Sequence, residues 1–311
     1  MTGIKPLLQK DIDCRSYYDL QYYYLGLDMI WEIMFWRLTM QIRDFVPLVI
    51  IKMFKKFKKI VEFENYTEAM KNCTSYGYED EELCRMVGDK TIAYRNALMQ
   101  KPYQANSTNV FLVTALYNYS SLFSKNEISV LDFGGACGAH YFETKRFFQN
   151  NINFCWNVIE TPRMVCSAKE YGFENNELHF FDDFTDISFP IDFVHSSGTL
   201  QSVPDAYEYL TKLMKLNANY ILFNRMMFNE KDRDFVTIQT SNLSDNGPGK
   251  IPDGYVDKII KYPHTTLSYK RFSEMLEKQY QLEWTFEEKS GILNINNEKI
   301  IGRGLLYKKR Q

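Results

Sequence analysis

A strand that ends in a glycine-rich turn and leads into a helix is the feature that most restricts how this chain can fold. Residues 128–135 read ISVLDFGG, an apolar, β-branched run that ends in glycines, and the helix-like stretch HYFETKRFFQN follows from residue 140. Near-continuous apolar strands that alternate with helices predict a parallel sheet covered on both faces. Ligands of such sheets bind at the carboxyl ends of the strands, so we expect a site at this turn.

Alternating strands and helices continue from this turn to residue 225. Short apolar strands are predicted at WNVIE (156–160), LHFFDD (178–183), IDFVHSSG (191–198) and YILFNR (220–225), with helices near 163–171 and 205–217. Towards the end, YQLEWTFEE and GRGLLYKK predict an antiparallel pair that closes the edge of the sheet. The predicted fold class for residues 106–311 is therefore α/β, with a Rossmann-like, doubly wound sheet.

Residues 1–105 have a different pattern and are predicted to be mostly helical. Helices are expected in 17–43 and 80–99, and Pro102 with the run QANST marks the boundary of the sheet domain. A second irregular segment is 226–270, whose Gly- and Pro-rich stretch SDNGPGKIPDGY predicts a mobile loop that closes over a bound molecule.

Charge and cysteine content exclude several classes of protein. The 37 basic and 39 acidic residues give a net charge of −2, whereas a general nucleic-acid binder needs a strong basic excess. The 6 cysteines include no C-x-x-C pair and no cluster with histidine, so we predict no metal site. Sparse thiols and the absence of a secretory signal at the start favour a cytoplasmic protein.

Residues 45–60, FVPLVIIKMFKKFKKI, combine apolar side chains with five lysines. Such a basic amphipathic segment can lie on an anionic leaflet, which predicts weak peripheral contact with the inner face of the membrane. The alternative is an ordinary surface helix with a solvated lysine face, and both interpretations stay open.

Acidic residues stand at the tips of three successive predicted strands. Asp132 precedes the turn, Glu160 ends the second strand, and Asp182 with Asp183 ends the third. A G-x-G-x-x-G dinucleotide fingerprint that begins at Gly134 fails, and a carboxylate at Asp132 would repel a pyrophosphate. S-adenosylmethionine carries an ammonium and a sulfonium but no phosphate, and its ammonium can lie near Asp132. The acids therefore favour this cofactor.

The turn D-x-G-x-x-x-G, with acids at the next two strand tips, resembles the pattern of class I S-adenosylmethionine-dependent methyltransferases. More narrowly, VLDFGGACGAHYF, WNVIETP, LHFFDD and DFVHSSGTLQSV resemble a group of bacterial methyltransferases often encoded among surface-polysaccharide genes. The resemblance covers residues 60–311 and implies a seven-strand sheet with a reversed final strand.

The resemblance also implies roles for individual residues. Asp132 and the glycines of the turn would hold the methionine part of the cofactor, Glu160 the ribose, and Asp182 or Asp183 the adenine. From the strand order, Ser197 at the tip of the fourth strand would lie near the reacting methyl group. Ala136 departs from the pattern, and a positive φ there would weaken cofactor binding. The expected cofactor-binding residues are Asp132, Gly134, Gly135, Gly138, Glu160, Asp182, Asp183 and Ser197.

Three residues are candidates for the chemistry of the acceptor. His140 opens the helix after the turn and His264 lies in the segment that usually contacts acceptors, so each is a candidate base. Arg225, at the tip of the fifth strand, could hold an anionic acceptor. The alternatives are a solvent-facing helix residue, an ordinary loop histidine and a structural ion pair, respectively.

The leading hypothesis is O-methylation of a sugar or glycan precursor in surface-polysaccharide biosynthesis, with S-adenosylmethionine as cofactor. The prediction of the cofactor is based on the residues of the chain, and the prediction of a glycan acceptor is based on the resemblance. A nicotinamide-dependent oxidoreductase is disfavoured by Asp132 and the glycine spacing, and a non-catalytic scaffold at the membrane stays open. Three aromatic residues are expected to border the site and stack on the acceptor, namely Tyr141, Tyr255 and Tyr262.

Overall fold

A twisted β-sheet organises the part of the chain that the computed structural model describes, namely residues 60–73, 77–100, 102, 107–149, 151–295 and 298–311. The chain divides into two units, 1–46 and 47–311, and every described residue belongs to the second. The helix predicted in 17–43 and the basic segment 45–60, apart from Ile60, lie outside the described residues.

From β1 to β5 the strands and helices follow the order that the sequence predicts. The helices are α1 (Tyr66–Lys71), α2 (Glu81–Leu98), α3 (Ser107–Phe123), α4 (Ala139–Phe148), α5 (Pro162–Glu170), α6 (Ala206–Lys215) and α7 (Tyr269–Leu276). The strands are β1 (Glu127–Phe133), β2 (Asn153–Ile159), β3 (Leu178–Phe181), β4 (Phe193–Ser197), β5 (Tyr220–Asn229), β6 (Phe235–Asn242), β7 (Ile259–Ser268), β8 (Tyr280–Ile295) and β9 (Glu298–Lys309).

The strand order confirms the predicted doubly wound sheet. Strands β3, β2, β1, β4 and β5 lie side by side and all run parallel. Strand β9 runs antiparallel to β5 on one side and to β8 on the other. These seven strands give the order that the resemblance implies, with a reversed final strand inserted between the fifth and the sixth.

The two faces of the sheet bury two separate groups of apolar side chains, as expected for strands covered on both sides. Val130 and Trp156 face α2 to α5, where they pack with residues such as Leu83 and Leu116. Leu131 and Val194 face the opposite side with the buried side chains of α6 and α7. Helix α2 also contacts α4 and α5, while the domain boundary at 105/106 stays a prediction.

Local sequence explains where the helices near the strand tips begin. Thr161 caps α5, since its side chain accepts a hydrogen bond from the Met164 backbone N–H, and Pro162 occupies the first turn. Asp205 caps α6 through the N–H groups of Tyr207 and Glu208. Helix α4 has Gly138 as its N-cap residue and therefore receives no side-chain cap.

The mobile loop predicted at 226–270 is wrong for most of its length. Strand β5 continues to Asn229, and β6 pairs with β7 in an antiparallel hairpin from Phe235↔Thr266 to Asn242↔Ile259. Strand β7 also runs parallel to the end of β5 at Phe228 and Asn229. The Gly/Pro-rich stretch is confined to the connection between β6 and β7.

Among the residues with a described position, we find no helix with the length and hydropathy to cross a bilayer.

Candidate active site

The glycine-rich turn follows β1 and carries backbone angles that few residues adopt. Gly134 has a φ of +78°, and a β-carbon there would collide with the side chain of Thr199. Gly135 has no room either, because a β-carbon would lie 2.5 Å from Oδ2 of Asp132. Ala136 has a φ of +48°, so the unfavourable conformation considered from the sequence is the one observed.

Asp132 lies beneath this turn with no exposed surface, and each oxygen of its carboxylate lies at hydrogen-bond distance from a histidine. Nδ1 of His140 lies 2.9 Å from Oδ2, and Nδ1 of His195 lies 2.8 Å from Oδ1. His195 is adjacent to Asp132 in the register of β1 and β4, and its Nε2 lies 3.2 Å from Nδ2 of Asn224. The four side chains form one hydrogen-bonded chain across β5, β4, β1 and the start of α4.

The buried charge of Asp132 is stabilised by this chain. Burial alone would raise the pKa of Asp132, but the charges and hydrogen bonds of His140 and His195 hold it well below its ordinary value. Burial lowers the pKa of His195, which opposes a positive charge on that ring. The arrangement is an ionised carboxylate between two imidazoles, of which only His140 reaches the surface, with 17% of its side chain exposed.

Among the described residues, Asp132, His140 and His195 form the one group whose side-chain atoms lie close enough together to bind a metal ion. One ligand atom from each of Asp132, His140 and His195 lies within 4.8 Å of the others. In the structure, however, each histidine nitrogen meets its own carboxylate oxygen at hydrogen-bond distance. The contacts observed are therefore those of a hydrogen-bonded chain.

Glu160 follows β2 and turns back to the glycine turn. Its Oε1 accepts a hydrogen bond from the Ala136 backbone N–H at 2.9 Å, and its Oε2 accepts one from the Thr161 N–H at 3.0 Å. Burial raises the pKa of Glu160 to about 7, although these two N–H groups favour the charged form. Thr161 Oγ1 also donates to the Tyr78 carbonyl at 3.0 Å, which brings residues 77–79 to the same strand tip.

The acids after β3 are exposed, in contrast to Asp132 and Glu160. Asp182 points to solvent, and Asp183 accepts a hydrogen bond from the Thr185 N–H at 2.7 Å. That bond starts a short 3-10 turn, Phe184–Asp186, and lowers the pKa of Asp183. The adenine role of the two acids stays a prediction.

Arg225 lies at a bulge of β5 and is tied to the tip of β4. Its φ is +53°, and its guanidinium donates from Nε to Oγ of Ser197 at 2.8 Å and from Nη2 to the Ser197 carbonyl at 3.0 Å. Its backbone N–H donates to Glu288 at 2.5 Å, and its carbonyl accepts from Gln201 at 2.9 Å. Arg225 and Ser197 are thus brought together, with the guanidinium still exposed.

His264 lies within β7 rather than in a loop, where it pairs in register with Thr237. It is 6% exposed, and burial lowers its pKa to about 4, so the ring is neutral at neutral pH.

Tyr141 is also buried, packs against Trp156 and donates to Glu177, so its predicted stacking role is wrong. The Tyr255 hydroxyl donates to Asp89 at 2.6 Å.

Sequence reasoning missed His195 as a member of the site, and it placed Asn224 at a strand tip that faces the site without giving it a role. His195 reads as a core histidine, because it lies inside an apolar strand. The available signal is positional, since Asp132 and His195 both lie near the carboxyl end of a strand, one residue before the end of β1 and two residues before the end of β4. Whether two such residues lie side by side depends on which strands are neighbours, and the sequence alone does not give the strand order.

Among comparisons with known proteins, only the comparison with solved structures finds similar proteins. No model of a known protein family matches the chain, and no curated protein matches it. A methyltransferase structure from Clostridium acetobutylicum ATCC 824, described as S-adenosylmethionine-dependent, is 13% identical with a TM-score of 0.41, covering 71% of this chain and 98% of its own.

Two further solved structures give similar values. CalS10, an amino pentose methyltransferase from Micromonospora echinaspora, is 10% identical with a TM-score of 0.39, covering 66% of this chain and 93% of its own. The N-methyltransferase NodS from Bradyrhizobium japonicum WM9 is 13% identical with a TM-score of 0.38, covering 72% of this chain and 100% of its own. The fold described above rests on the strand order of this chain itself.

Proposed function

We propose that the chain is an S-adenosylmethionine-dependent methyltransferase that methylates a hydroxyl of a sugar or glycan precursor. The observation that carries the proposal is the contact between Glu160 and the glycine turn. An acid at the tip of β2 lies against the backbone of the turn after β1, at the carboxyl edge where doubly wound sheets bind ligands.

The residues at this edge fit the proposed cofactor. Helix α4 begins at Gly138 without a side-chain cap, so its first backbone N–H groups can bind the carboxylate of the methionine part. The carboxylate of Glu160 can accept hydrogen bonds from both ribose hydroxyls. A phosphate-bearing dinucleotide fits less well, because two acids, Asp132 and Glu160, lie under and beside the turn.

The remaining residues of the site have proposed roles in the same scheme. Gly134 and Gly135 shape the turn for the methionine part, and Asp182 or Asp183 receives the adenine amino group. Ser197 lies near the methyl group, and Arg225 orients an anionic part of the acceptor. S-adenosylmethionine supplies a methyl group on a sulfonium that is already a good leaving group. The protein must then align the acceptor, exclude water and accept a proton.

The acceptor class rests on the resemblance to bacterial methyltransferases encoded among surface-polysaccharide genes. A sugar hydroxyl is neutral, so its methylation needs a group that removes the proton. The chain would work in the cytoplasm, where glycan precursors are assembled, with weak contact to the inner membrane through residues 45–60. Flotation with anionic liposomes tests this contact, and a protein that stays at the bottom of the gradient contradicts it.

Calorimetric titration of the full chain with S-adenosylhomocysteine and, separately, with NAD tests the cofactor. Binding of S-adenosylhomocysteine alone supports the proposal. Binding of NAD alone indicates an oxidoreductase, and binding of neither indicates a scaffold without cofactor. Mass spectrometry of surface glycans from cells with and without the protein then identifies the methylated product.

A further inference from the structure

The side chain of His140 stands between a buried carboxylate and the open carboxyl edge of the sheet. Its Nδ1 meets Asp132 at 2.9 Å, and its ring packs edge-on against His195, with centroids 4.8 Å apart. Its Nε2 makes no hydrogen bond with the described part of the chain. Asp132, in turn, has no surface to offer a ligand, because it is fully buried and each of its oxygens meets a histidine.

The hydrogen bonds fix which nitrogen of each ring carries the proton. Asn224 donates from Nδ2 to Nε2 of His195, so the proton of His195 resides on Nδ1 and points to Asp132. The second oxygen of Asp132 accepts from His140, so the proton of His140 also resides on Nδ1. The lone pair of Nε2 is therefore left at the surface of the site, in the form that accepts a proton.

We propose that His140 is the proton acceptor for a neutral hydroxyl substrate, with Asp132 as the residue that positions and stabilises it and His195 and Asn224 as the support of Asp132. The inference deepens the proposed function and rests on it. As the hydroxyl oxygen forms its bond to the methyl carbon, the carbon–sulfur bond breaks with its electron pair left on sulfur. The hydroxyl proton passes to Nε2 of His140, which later releases it to water.

This assignment changes the role expected for Asp132. From sequence, Asp132 was the partner of the cofactor ammonium, whereas the structure gives both of its oxygens to histidines. Two other ionisable groups act electrostatically on these residues. The charge of Asp132 contributes to the raised pKa of Glu160, and Arg225 contributes to the lowered pKa of His195. An ionised Asp132 stabilises the imidazolium that forms on His140, as acid–histidine pairs do.

Nitrogen-15 NMR of histidine-labelled protein tests the assignment without any acceptor. The chain contains only 4 histidines, so single substitutions assign each signal. At a pH where the rings are neutral, His140 is expected as the Nδ1–H form. In Asp132→Asn one of the two histidines must change its tautomer, because an amide offers one acceptor and one donor. An Nε2–H form of His140 in the unmodified protein overturns the inference.

Binding measurements on the same proteins separate this inference from its alternatives. The affinities of His140→Gln and Asp132→Asn for S-adenosylhomocysteine are expected to stay within about threefold of the unmodified protein. A selective loss above about tenfold in Asp132→Asn returns Asp132 to the ammonium and overturns the inference. Titration with Co²⁺ gives a second check, since a visible absorption band lost in His140→Gln indicates a metal site instead.

Methylated surface glycan provides the functional readout. In cells that carry the His140→Gln variant in place of the unmodified protein, the amount of methylated glycan is expected to fall at least about 100-fold. His179→Gln, at the start of β3 and outside the site, is the matched control and keeps the product. Product at the normal level in His140→Gln overturns the inference. Failure of the unmodified protein to bind S-adenosylhomocysteine overturns the proposed function as well, so the two failures are distinguishable.

Discussion

Oε1 of Glu160 lies 2.9 Å from the backbone nitrogen of Ala136, so the acid at the tip of β2 holds the turn that follows β1. Ala136 adopts a φ of +48° in that turn, and Glu160 has a pKa raised to about 7 by burial. The conformation of one residue and the ionisation of the other are therefore coupled through a single hydrogen bond.

Replacement of Ala136 by Gly is expected to stabilise the protein by about 1 kcal/mol, because the left-handed conformation is unfavourable for alanine. The urea midpoint of unfolding measures the change. Ala139→Gly, in the first turn of α4, is the control and is expected to lower the midpoint. A lower midpoint in Ala136→Gly contradicts a strained turn.

Binding of S-adenosylhomocysteine is expected to strengthen as the pH rises from 6 to 8. The ionised form of Glu160 accepts ribose hydroxyl hydrogens better than the protonated form, and ionisation occurs near pH 7. Glu160→Gln is expected to bind more weakly, with an affinity that no longer varies across this range. Titration calorimetry at both pH values decides, and an equal pH dependence in both proteins contradicts the role of Glu160.

Stability should show the opposite trend with pH at this residue. The folded state binds the Glu160 proton more tightly than the unfolded chain, so its contribution is present below pH 4.5 and is lost as the pH rises through about 7. Because the side chain is partly exposed, we expect a loss of about 2 kcal/mol in the unmodified protein that Glu160→Gln does not show. Urea midpoints at pH 5 and 8 measure it.

Gly135→Ala is expected to destabilise the protein by at least about 2 kcal/mol and to displace the carboxylate of Asp132. A β-carbon at this position would lie 2.5 Å from Oδ2, and the buried aspartate has no free space to move into. Gly249→Ala is the matched control, since it has a left-handed φ of +71° but nothing within 4 Å of the added carbon. Equal losses in the two variants refute the steric argument.

The buried amine of Lys90 is expected to anchor the connection between β6 and β7. Lys90 is 1% exposed, and its Nζ donates to the carbonyls of Ser244 at 2.7 Å and Asn246 at 2.5 Å. Lys90→Met leaves both carbonyls without this donor and should cost about 2 kcal/mol. Limited proteolysis should then cut within 243–258 faster than in Lys250→Met, which removes an exposed lysine from the same connection. Equal cleavage rates argue against the anchor.

Acid is expected to destabilise the protein partly through His264. Its folded-state pKa is about 4, below the ordinary value of 6.5, so the unfolded chain takes up the proton first and stability falls as the pH drops from 6.5 towards 4. His264→Gln should remove up to about 3 kcal/mol of this acid sensitivity, whereas His179→Gln should not. The difference in urea midpoint between pH 7.5 and pH 4.5 is the measurement. The same slope in all three proteins contradicts a buried, neutral His264.

Much of the fold could be predicted because its signals are local. Short apolar runs predicted β1 to β5 within a few residues, and the resemblance supplied the reversed final strand. The hairpin β6–β7 escaped prediction because the apolar residues of β6, namely Phe235, Val236 and Ile238, do not follow the strict alternation that indicates a strand. The nearby Gly/Pro-rich stretch favoured a loop instead.

The candidate site was less predictable because it depends on contacts between distant residues. Asp132 and Glu160 follow from their positions at strand tips, but the contact between Asp132 and His195 depends on which strand lies beside β1. The close approach of Gly134 to Thr199 likewise joins residues that lie 65 positions apart in the chain. Neither relationship leaves a pattern in the neighbouring sequence.

The position of β9 has a consequence for biosynthesis. Leu305, Leu306 and Tyr307 are buried on the two faces of the sheet in β9, which lies between β5 and β8, yet they emerge from the ribosome after both of these strands. A nascent chain that ends before residue 298 therefore has β5 with one unpaired edge and an incomplete core. Folding of the sheet is completed only after β9 has been synthesised, and until then the open edge of β5 is exposed to aggregation and to capture by chaperones.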